Sequence, residues 1–189
     1  VLRLACDQLA GWSALVDAAD RLFMSVNLSA RQLGHPGLVA DVTDAIESSG
    51  ISPADLMIEI SEGLLSDREG PIPAVIVGLH DLGVPLCLDS FGAGGLSLAE
   101  LHRYPFTAVK IDRSFLAGIA DDLERWRMVD GLNALAVHLG LQVILEGIEE
   151  RDQLRRLVEL GCSLGQGRLL SGPVDDTGAE RMLLVHPVW

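Results

Sequence analysis

The sequence predicts an α/β protein built on a parallel sheet, because short aliphatic segments alternate regularly with longer amphipathic ones. Several of the amphipathic segments end at a glycine, which is the usual residue just past the end of a helix. Each aliphatic segment also has a polar or charged side chain at or beside its carboxyl end. Strands separated by helices of this length indicate right-handed βαβ units.

Six strands are predicted from runs of β-branched and aliphatic residues: Phe23–Leu28, Leu56–Ile60, Pro85–Asp89, Ala108–Ile111, Leu141–Leu145 and Ser163–Gln166. Helices are predicted where apolar residues recur every three or four positions, as Leu2, Ala5 and Leu9 do in the first one. In order, the helices are Val1–Arg21, Leu38–Ser49, Ile72–Leu82, Leu96–Arg103, Asp121–Leu139, Glu150–Leu160 and Asp175–Leu184.

This alternation fits both an open doubly wound sheet and a closed barrel. A complete eight-stranded (β/α) barrel needs two more strands than the six predicted here. It also typically needs about 250 residues, whereas this chain has 189. The number of strands alone therefore leaves both architectures open.

The composition limits the classes of function. The net charge of −13 opposes binding to a nucleic-acid polymer, which depends on phosphate contacts from lysine and arginine. The cysteines Cys6, Cys87 and Cys162 have no C-x-x-C spacing, and we interpret them as reduced core thiols in a cytoplasmic protein. No run of 18 apolar residues and no secretion signal occurs, so no membrane span is predicted in this chain.

The polar residues at the strand ends are the most informative pattern: Asn27, Glu59, Asp89, Lys110 with Asp112, Glu146 and Gln166. An unpaired charge in a buried strand costs several kcal/mol, so its repetition on six strands indicates that these groups face one another. In barrels the active site is assembled at this carboxyl end. The alternative is that these residues only cap helices and pair in salt bridges.

The chemistry of this set points to metal-dependent hydrolysis. Asn27, Glu59, Asp89 and Glu146 supply hard oxygen ligands, which suit Mg²⁺ or Mn²⁺ better than zinc. Lys110 among them adds a positive charge that can hold a phosphate oxygen or a water. Such a set permits metal-assisted attack of water on a phosphodiester.

Six ordered stretches then carry a family resemblance: NLSARQL at Asn27–Leu33, EISE at Glu59–Glu62, LDSFGAGGLSL at Leu88–Leu98, KIDRSF at Lys110–Phe115, LEGIEE and GCSLGQGRLLSGP. They resemble the motifs of EAL domains across essentially the whole chain. The resemblance implies a TIM-like (β/α) barrel that binds cyclic di-GMP and hydrolyses it to pGpG with two divalent cations, Mg²⁺ or Mn²⁺.

The resemblance also implies roles for individual residues. It gives metal ligands (Asn27, Glu59 and Asp89) and a catalytic group (Lys110, Glu146 and Gln166). In that group Lys110 and Glu146 would position or deprotonate the attacking water, and Gln166 would support the site. Glu62 would hold the loop at residues 91–98, which in the family couples metal binding to dimer contacts, and Asp112 would support Lys110. A homodimer through this loop, or another protein partner, is therefore expected.

One departure from the family concerns the start of the domain. The Glu-Ala-Leu signature is absent; in the family it lies upstream of the helix that begins here at Val1. That portion carries two strands, a metal-binding Glu and an Arg that contacts the nucleotide. We therefore expect residues 1–189 to be a single, incomplete EAL domain without its first two strands, within a larger multidomain protein.

A second departure concerns the paired aspartates of the family, which are Asp89 and Ser90 here. A neutral hydroxyl cannot replace a carboxylate for a second metal, and such a loss costs several kcal/mol of transition-state stabilisation. We therefore expect impaired or absent phosphodiesterase activity, in a cyclic di-GMP receptor or a protein-interaction module. The alternative is an active phosphodiesterase whose missing Glu is supplied by upstream residues.

Overall fold

Six parallel strands form one curled sheet, a half-barrel in which the strands follow one another in sequence order. The structure is a computed structural model and describes residues 1–17, 21–66 and 70–185. The strands are Met24–Asn27 (β1), Leu56–Ser61 (β2), Leu86–Phe91 (β3), Ala108–Ile111 (β4), Gln142–Glu146 (β5) and Leu164–Gln166 (β6). The predicted α/β class, the parallel pairing and the number of strands are confirmed.

The helices lie between the strands, as βαβ connections require. In the described part of the chain they are Leu2–Ser13 (α1), Ala30–Leu33 (α2), Leu38–Ser49 (α3), Ile72–Asp81 (α4), Leu98–Leu101 (α5), Leu123–His138 (α6), Arg151–Glu159 (α7) and Asp176–Val185 (α8). Short 3₁₀ turns occur at Pro53–Asp55, Glu62–Ser66 and Arg113–Phe115. Within the described ranges, none of the helices is both long and apolar enough to cross a bilayer.

The first helix is shorter than its periodicity predicts. It ends at Ser13 instead of Arg21, and residues 18–20 of the prediction lie outside the described residues. The N–H of Leu15 bonds to the carbonyl of Trp12, a three-residue step at which α-helical bonding stops. The apolar spacing continues past this turn to Val16, which is why periodicity alone overestimates the helix.

The helix predicted at Leu96–Arg103 is also shorter, since α5 covers only Leu98–Leu101. Ser97 is its N-cap: the Ser97 hydroxyl accepts from the N–H of Glu100, and the Glu100 carboxylate accepts from the N–H of Ser97. This capping box fixes the helix start. Leu96 precedes the N-cap and so lies outside the helix, and its N–H donates to Glu62.

The sheet has an outer and an inner apolar layer. Strand side chains on the outer face pack under the helices in the main core, whereas a small inner cluster lies inside the curl: Met57, Cys87, Ala108, Ile144 and the partly buried Leu164. Side chains alternate between faces along a strand, so the residue two positions further on points the same way. Two positions beyond each inner residue stands a predicted site residue: Glu59, Asp89, Lys110, Glu146 and Gln166.

Gly147, directly after β5, allows the chain to pass close to the segment that follows β4. Its φ is +81°, and a Cβ built there would lie 2.6 Å from the Cβ of Arg113. Gly50 after α3 has a similar φ of +74°, but a Cβ there would meet nothing within 4 Å. A substitution at Gly50 therefore causes backbone strain alone, whereas one at Gly147 causes backbone strain and a steric overlap.

We expect Gly50→Ala to lower the free energy of unfolding by about 1–2 kcal/mol, the cost of a left-handed alanine. Gly147→Ala should lower the free energy of unfolding by about 1–3 kcal/mol more than Gly50→Ala does, because its methyl group also overlaps Arg113. Urea denaturation of both variants measures the difference. Equal losses would mean that the segment at Arg113 moves away without cost.

Candidate active site

Four of the predicted residues meet at the carboxyl end of the sheet, around the ammonium group of Lys110. Its Nζ lies 3.0 Å from both carboxylate oxygens of Glu59 and 3.0 Å from Oε1 of Glu146. It also donates to Oε1 of Gln166 at 3.2 Å. The pairing of Lys110 with Ile144, and of Glu146 with Gln166, brings β4, β5 and β6 into this alignment.

Lys110 is a buried, fully satisfied cation. Only 6% of the residue is exposed, and its three N–H donors have three partner side chains. Burial by itself lowers the pKa of Lys110, but the hydrogen bonds that Lys110 donates to Glu146 and Glu59, together with their charges, outweigh burial and raise the pKa above its ordinary value. The group is therefore charged at neutral pH. It is also the only lysine in the sequence, a signal that singles out this position.

Sequence reasoning missed Ser25, whose hydroxyl donates a short hydrogen bond to Oε1 of Glu59. Ser25 lies two positions before Asn27 on β1 and pairs in register with Met57. It therefore faces the same interior as the predicted residues, and the two-residue alternation of β1 was the signal for it. Glu59, only 3% exposed, is thus held by both Ser25 and Lys110.

Cys87 lies directly below the ion cluster, fully buried on β3. Burial, with the charges of Glu59 and the other carboxylates nearby, raises the pKa of its thiol to about 12 despite the opposing effect of Lys110. Asp89 and Glu146 are among the carboxylates that raise it. Asp89 therefore lies close enough to the interior for its charge to be felt at Cys87.

Asn27 and Asp89 are placed at the same end of the sheet but are not joined to the ion cluster. Asn27 is exposed and pairs in register with Glu59, while the half-buried Asp89 pairs with Ser61. Neither side chain has a hydrogen bond or ion pair to Lys110 or Glu59 in the described part of the chain. The structure thus gathers four of the six strand-end groups tightly and two loosely.

Ser90, beside Asp89, has a left-handed backbone with a φ of 63°. The pairing of β3 with β4 shifts register between Leu88 and Phe91, so Ser90 stands in a bulge. Bulges of this kind commonly lie next to active sites. Left-handed φ is uncommon for serine and several-fold enriched for asparagine and aspartate, so this backbone would suit an aspartate better.

Glu62 holds the loop between β3 and α5. Its buried carboxylate accepts a short hydrogen bond from the N–H of Leu96. A side chain at Gly94 would collide with the same carboxylate, so only a glycine fits there without displacement. The loop is therefore fixed to the end of β2 at two neighbouring points.

Asp112 is turned toward its own 3₁₀ turn. Its carboxylate caps that turn by accepting from the N–H of Ser114 at 2.8 Å. The hydrogen bonds from Ser114 lower the pKa of Asp112. The residue thus orders the segment that follows Lys110 and makes no ion pair with Lys110 in the described chain.

The oxygen donors at this end are of the kind that Mg²⁺ and Mn²⁺ prefer. Within residues 1–17, 21–66 and 70–185, however, no three His, Cys, Asp or Glu side chains are grouped closely enough to hold a metal ion. The ammonium group of Lys110 balances the charges of Glu59 and Glu146 in part. A metal ion bound here would have to share Glu59 with Lys110 and Ser25.

A cavity of about 580 Å³ opens beside Glu146, which is within the size range of ligand sites. The segments after β4, β5 and β6 line it, with Arg113, Glu149, Gln166 and Arg168 among the polar side chains. It lies at the carboxyl end of the strands, the usual position of an active site in a barrel.

These features define an α/β protein of the TIM-barrel type with an ionisable site at the carboxyl end of its sheet. The chain belongs to the EAL domain family, since the family profile matches residues 1–173. The predicted family and fold are therefore confirmed.

Named relatives agree with this assignment. The chain is 38% identical, over 98% of its length, to the cyclic di-GMP phosphodiesterase NbdA of Pseudomonas aeruginosa, and it spans only 24% of that protein. The structure resembles that of the MucR phosphodiesterase of the same organism in complex with c-di-GMP (TM-score 0.85, 34% identity, covering 94% of this chain and 71% of that one). It also resembles the EAL domain of Mycobacterium smegmatis DcpA (TM-score 0.89, 31% identity, 99% of this chain and 83% of that one).

We expect Lys110→Met to lower the free energy of unfolding by about 3–5 kcal/mol, because two buried carboxylates lose their cation. The triple variant with Glu59→Gln and Glu146→Gln should recover most of that loss. Because the folded pKa of Lys110 lies above 10.5, the contribution of Lys110 is complete below pH 10.5 and is lost as the pH rises through the folded value. Urea denaturation between pH 7 and 11 tests both points, and a loss below about 1 kcal/mol at pH 7 would contradict them.

The raised pKa of Cys87 predicts a very unreactive thiol. With a pKa of about 12, roughly one thiol in ten thousand is ionised at pH 8, and the thiolate is the reactive form. Under native conditions at pH 8, iodoacetamide should modify the half-buried Cys162 well before Cys87, and in urea both should react alike. Peptide mass spectrometry measures the order. Equal native rates would show that the interior below Lys110 opens readily.

Proposed function

We propose that this chain is the cyclic di-GMP-binding part of a larger signalling protein and that it hydrolyses cyclic di-GMP weakly or not at all. The observation that carries the proposal is the cluster of Glu59, Lys110, Glu146 and Gln166 beside a ligand-sized cavity. Asp89 and Ser90 lie near the carboxyl end of β3. The chain spans about a quarter of the length of NbdA, so in this relative the domain is part of a larger protein.

Support for ligand binding comes from the geometry of the cavity. Glu146 has 21% of its side chain exposed and lines the cavity, while its Oε1 is fixed by Lys110. Gln166 also lines it and is held by the same ammonium group. Two polar side chains held in fixed positions on a cavity wall favour a ligand that needs defined polar contacts.

In the proposed function, these side chains orient the ligand and a water molecule. Lys110 remains protonated and would exchange one of its three side-chain partners for a phosphate oxygen or a water. Glu146 would accept a proton from that water, and Gln166 would keep the ammonium in place. Asn27, Glu59 and Asp89 would hold Mg²⁺ or Mn²⁺, which would supply polarisation of the phosphodiester. Ser25 fixes the orientation of Glu59 through its hydroxyl.

Weak hydrolysis is supported by Ser90. Two-metal hydrolysis of a phosphodiester relies on carboxylates that hold both cations near the attacking and leaving oxygens. A serine leaves that position without charge, although the left-handed backbone of the bulge is present. Loss of one such group costs roughly a thousandfold in rate.

Two other functions have specific support. An active phosphodiesterase is favoured by the 38% identity to NbdA, with the missing Glu supplied by residues outside this chain. A protein-interaction module, as a homodimer or with another protein, is favoured by the rigid attachment of residues 91–98 to Glu62. The receptor binds cyclic di-GMP whereas the interaction module does not, so a binding measurement distinguishes these two. The enzyme hydrolyses the nucleotide whereas the receptor does not, so a measurement of turnover distinguishes the other pair.

Three proteins distinguish these functions: the full-length protein, Ser90→Asp and Ser90→Asn. Aspartate and asparagine both suit the left-handed backbone, but only aspartate restores the carboxylate, so asparagine is the matched control. With cyclic di-GMP and Mn²⁺, we expect little pGpG from the wild type and Ser90→Asn, and at least about a hundredfold more from Ser90→Asp. Chromatography of the nucleotides measures the product.

The outcomes of this experiment are distinct. Rapid formation of pGpG by the wild type would overturn the proposal of weak hydrolysis and favour the active enzyme. Titration calorimetry with cyclic di-GMP in the presence of Ca²⁺ measures binding directly. A trace without heat at several temperatures would exclude the receptor and favour the interaction module.

A further inference from the structure

We infer that Arg113 and Arg168 form an anion-binding rim that contacts the phosphodiester groups of the ligand in the cavity beside Glu146. This inference rests on the proposed function and names the chemistry by which this site holds its ligand. Arg113 follows β4 and Arg168 follows β6, and both line the same cavity of about 580 Å³. The cavity thus has arginines from two separate strands on its wall.

Both guanidinium groups are free to take a ligand. Arg113 and Arg168 are exposed, and neither has a carboxylate partner in the described ranges. By contrast, Arg125 donates to backbone carbonyls on the segment after β4, and Arg155 pairs with Asp152. An unpaired arginine on a cavity wall retains its full set of five donors for an incoming anion.

The backbone carries both arginines in fixed positions. Arg113 passes against Gly147, where no side chain would fit. Arg168 lies in a turn in which the N–H groups of Leu170 and Ser171 donate to Gly167 and that of Leu169 donates to Ile148, at 3.0 Å each. Fixed attachment points limit the entropy lost when the guanidinium groups bind a ligand.

The negative charges around the cavity oppose an anionic ligand, and the two arginines would reduce that repulsion. The chain has a net charge of −13, and Glu146 and Glu149 line the same cavity. A cyclic dinucleotide carries two phosphodiester charges and would be repelled by these carboxylates alone. Two guanidinium groups on the wall offset them locally, and the fork of an arginine matches a pair of phosphate oxygens.

The experiment measures the affinity of the full-length protein for cyclic di-GMP by titration calorimetry in Ca²⁺ buffer. We expect Arg113→Gln and Arg168→Gln each to weaken binding about tenfold, since each removes a charge-assisted contact. The double variant should lose about a hundredfold if the two contacts are independent. Arg3→Gln on α1 is the matched control: it removes the same charge from an exposed arginine outside the cavity and should leave the affinity unchanged.

Lysine variants separate a phosphate contact from a guanine contact. A phosphate accepts the point charge of a lysine, so Arg113→Lys and Arg168→Lys should keep the affinity within about threefold of wild type. The edge of a guanine is read by the fork of an arginine. If the lysine variants are as weak as the glutamine variants, a positive charge alone does not hold the ligand, and the charge-based contact with the phosphodiesters that is inferred here is wrong.

The remaining outcomes are also decisive. Wild-type affinity in both glutamine variants would overturn the rim while leaving the proposed function intact. Absence of binding by the wild type would remove the proposed function and this inference together. Circular dichroism and thermal unfolding verify that each variant is folded; Arg113 and Arg168 are exposed, so we expect little change in stability.

Discussion

The ion bridge from Lys110 to Glu59 and Glu146 is the interaction on which the rest of the site depends. It joins the carboxyl ends of β2, β4 and β5, and through Gln166 also that of β6. A buried ion pair is tolerated only when each partner has its remaining hydrogen bonds, because desolvation otherwise exceeds the attraction. Here the ammonium has three partners and Glu59 has Ser25 in addition, so the cluster is complete.

The alternation of side chains along parallel strands explains why an ionic layer can exist inside this sheet. The inner layer of Met57, Cys87, Ala108 and Ile144 closes the interior below the charges. Two residues further along, at the carboxyl ends of the same strands, the side chains on this face of the sheet are polar. The apolar layer thus packs beneath the charged groups, and the cavity lined by Glu146 and Gln166 opens at the carboxyl end of the sheet.

Much of the fold and part of the site could be predicted from the sequence, because both depend on local patterns. Periodicity identifies the strands and helices, and the strand-end residues stand out because charges are costly in buried strands. The sequence predicts that the strand-end groups face one another, but it does not predict which of them bind Lys110, since Glu59 and Gln166 lie 51 and 56 positions away and meet Lys110 only through strand register. Ser25 is a common residue type with no signal beyond its place in the alternation. The early end of α1 depends on one turn at Trp12 and Leu15, which periodicity does not detect.

Ser90 shows that the shape of this site and its charge have separate origins. The left-handed backbone is set by the register shift between β3 and β4, which does not involve the side chain of residue 90. A serine in this conformation costs about 1–2 kcal/mol relative to an ordinary one, and the strand pairing on either side offsets that cost. Replacement of an aspartate by serine therefore removes a charge while the backbone that would carry it stays in place. In a site changed in this way Lys110, Glu146 and Gln166 keep their positions, because they are fixed by one another and not by residue 90.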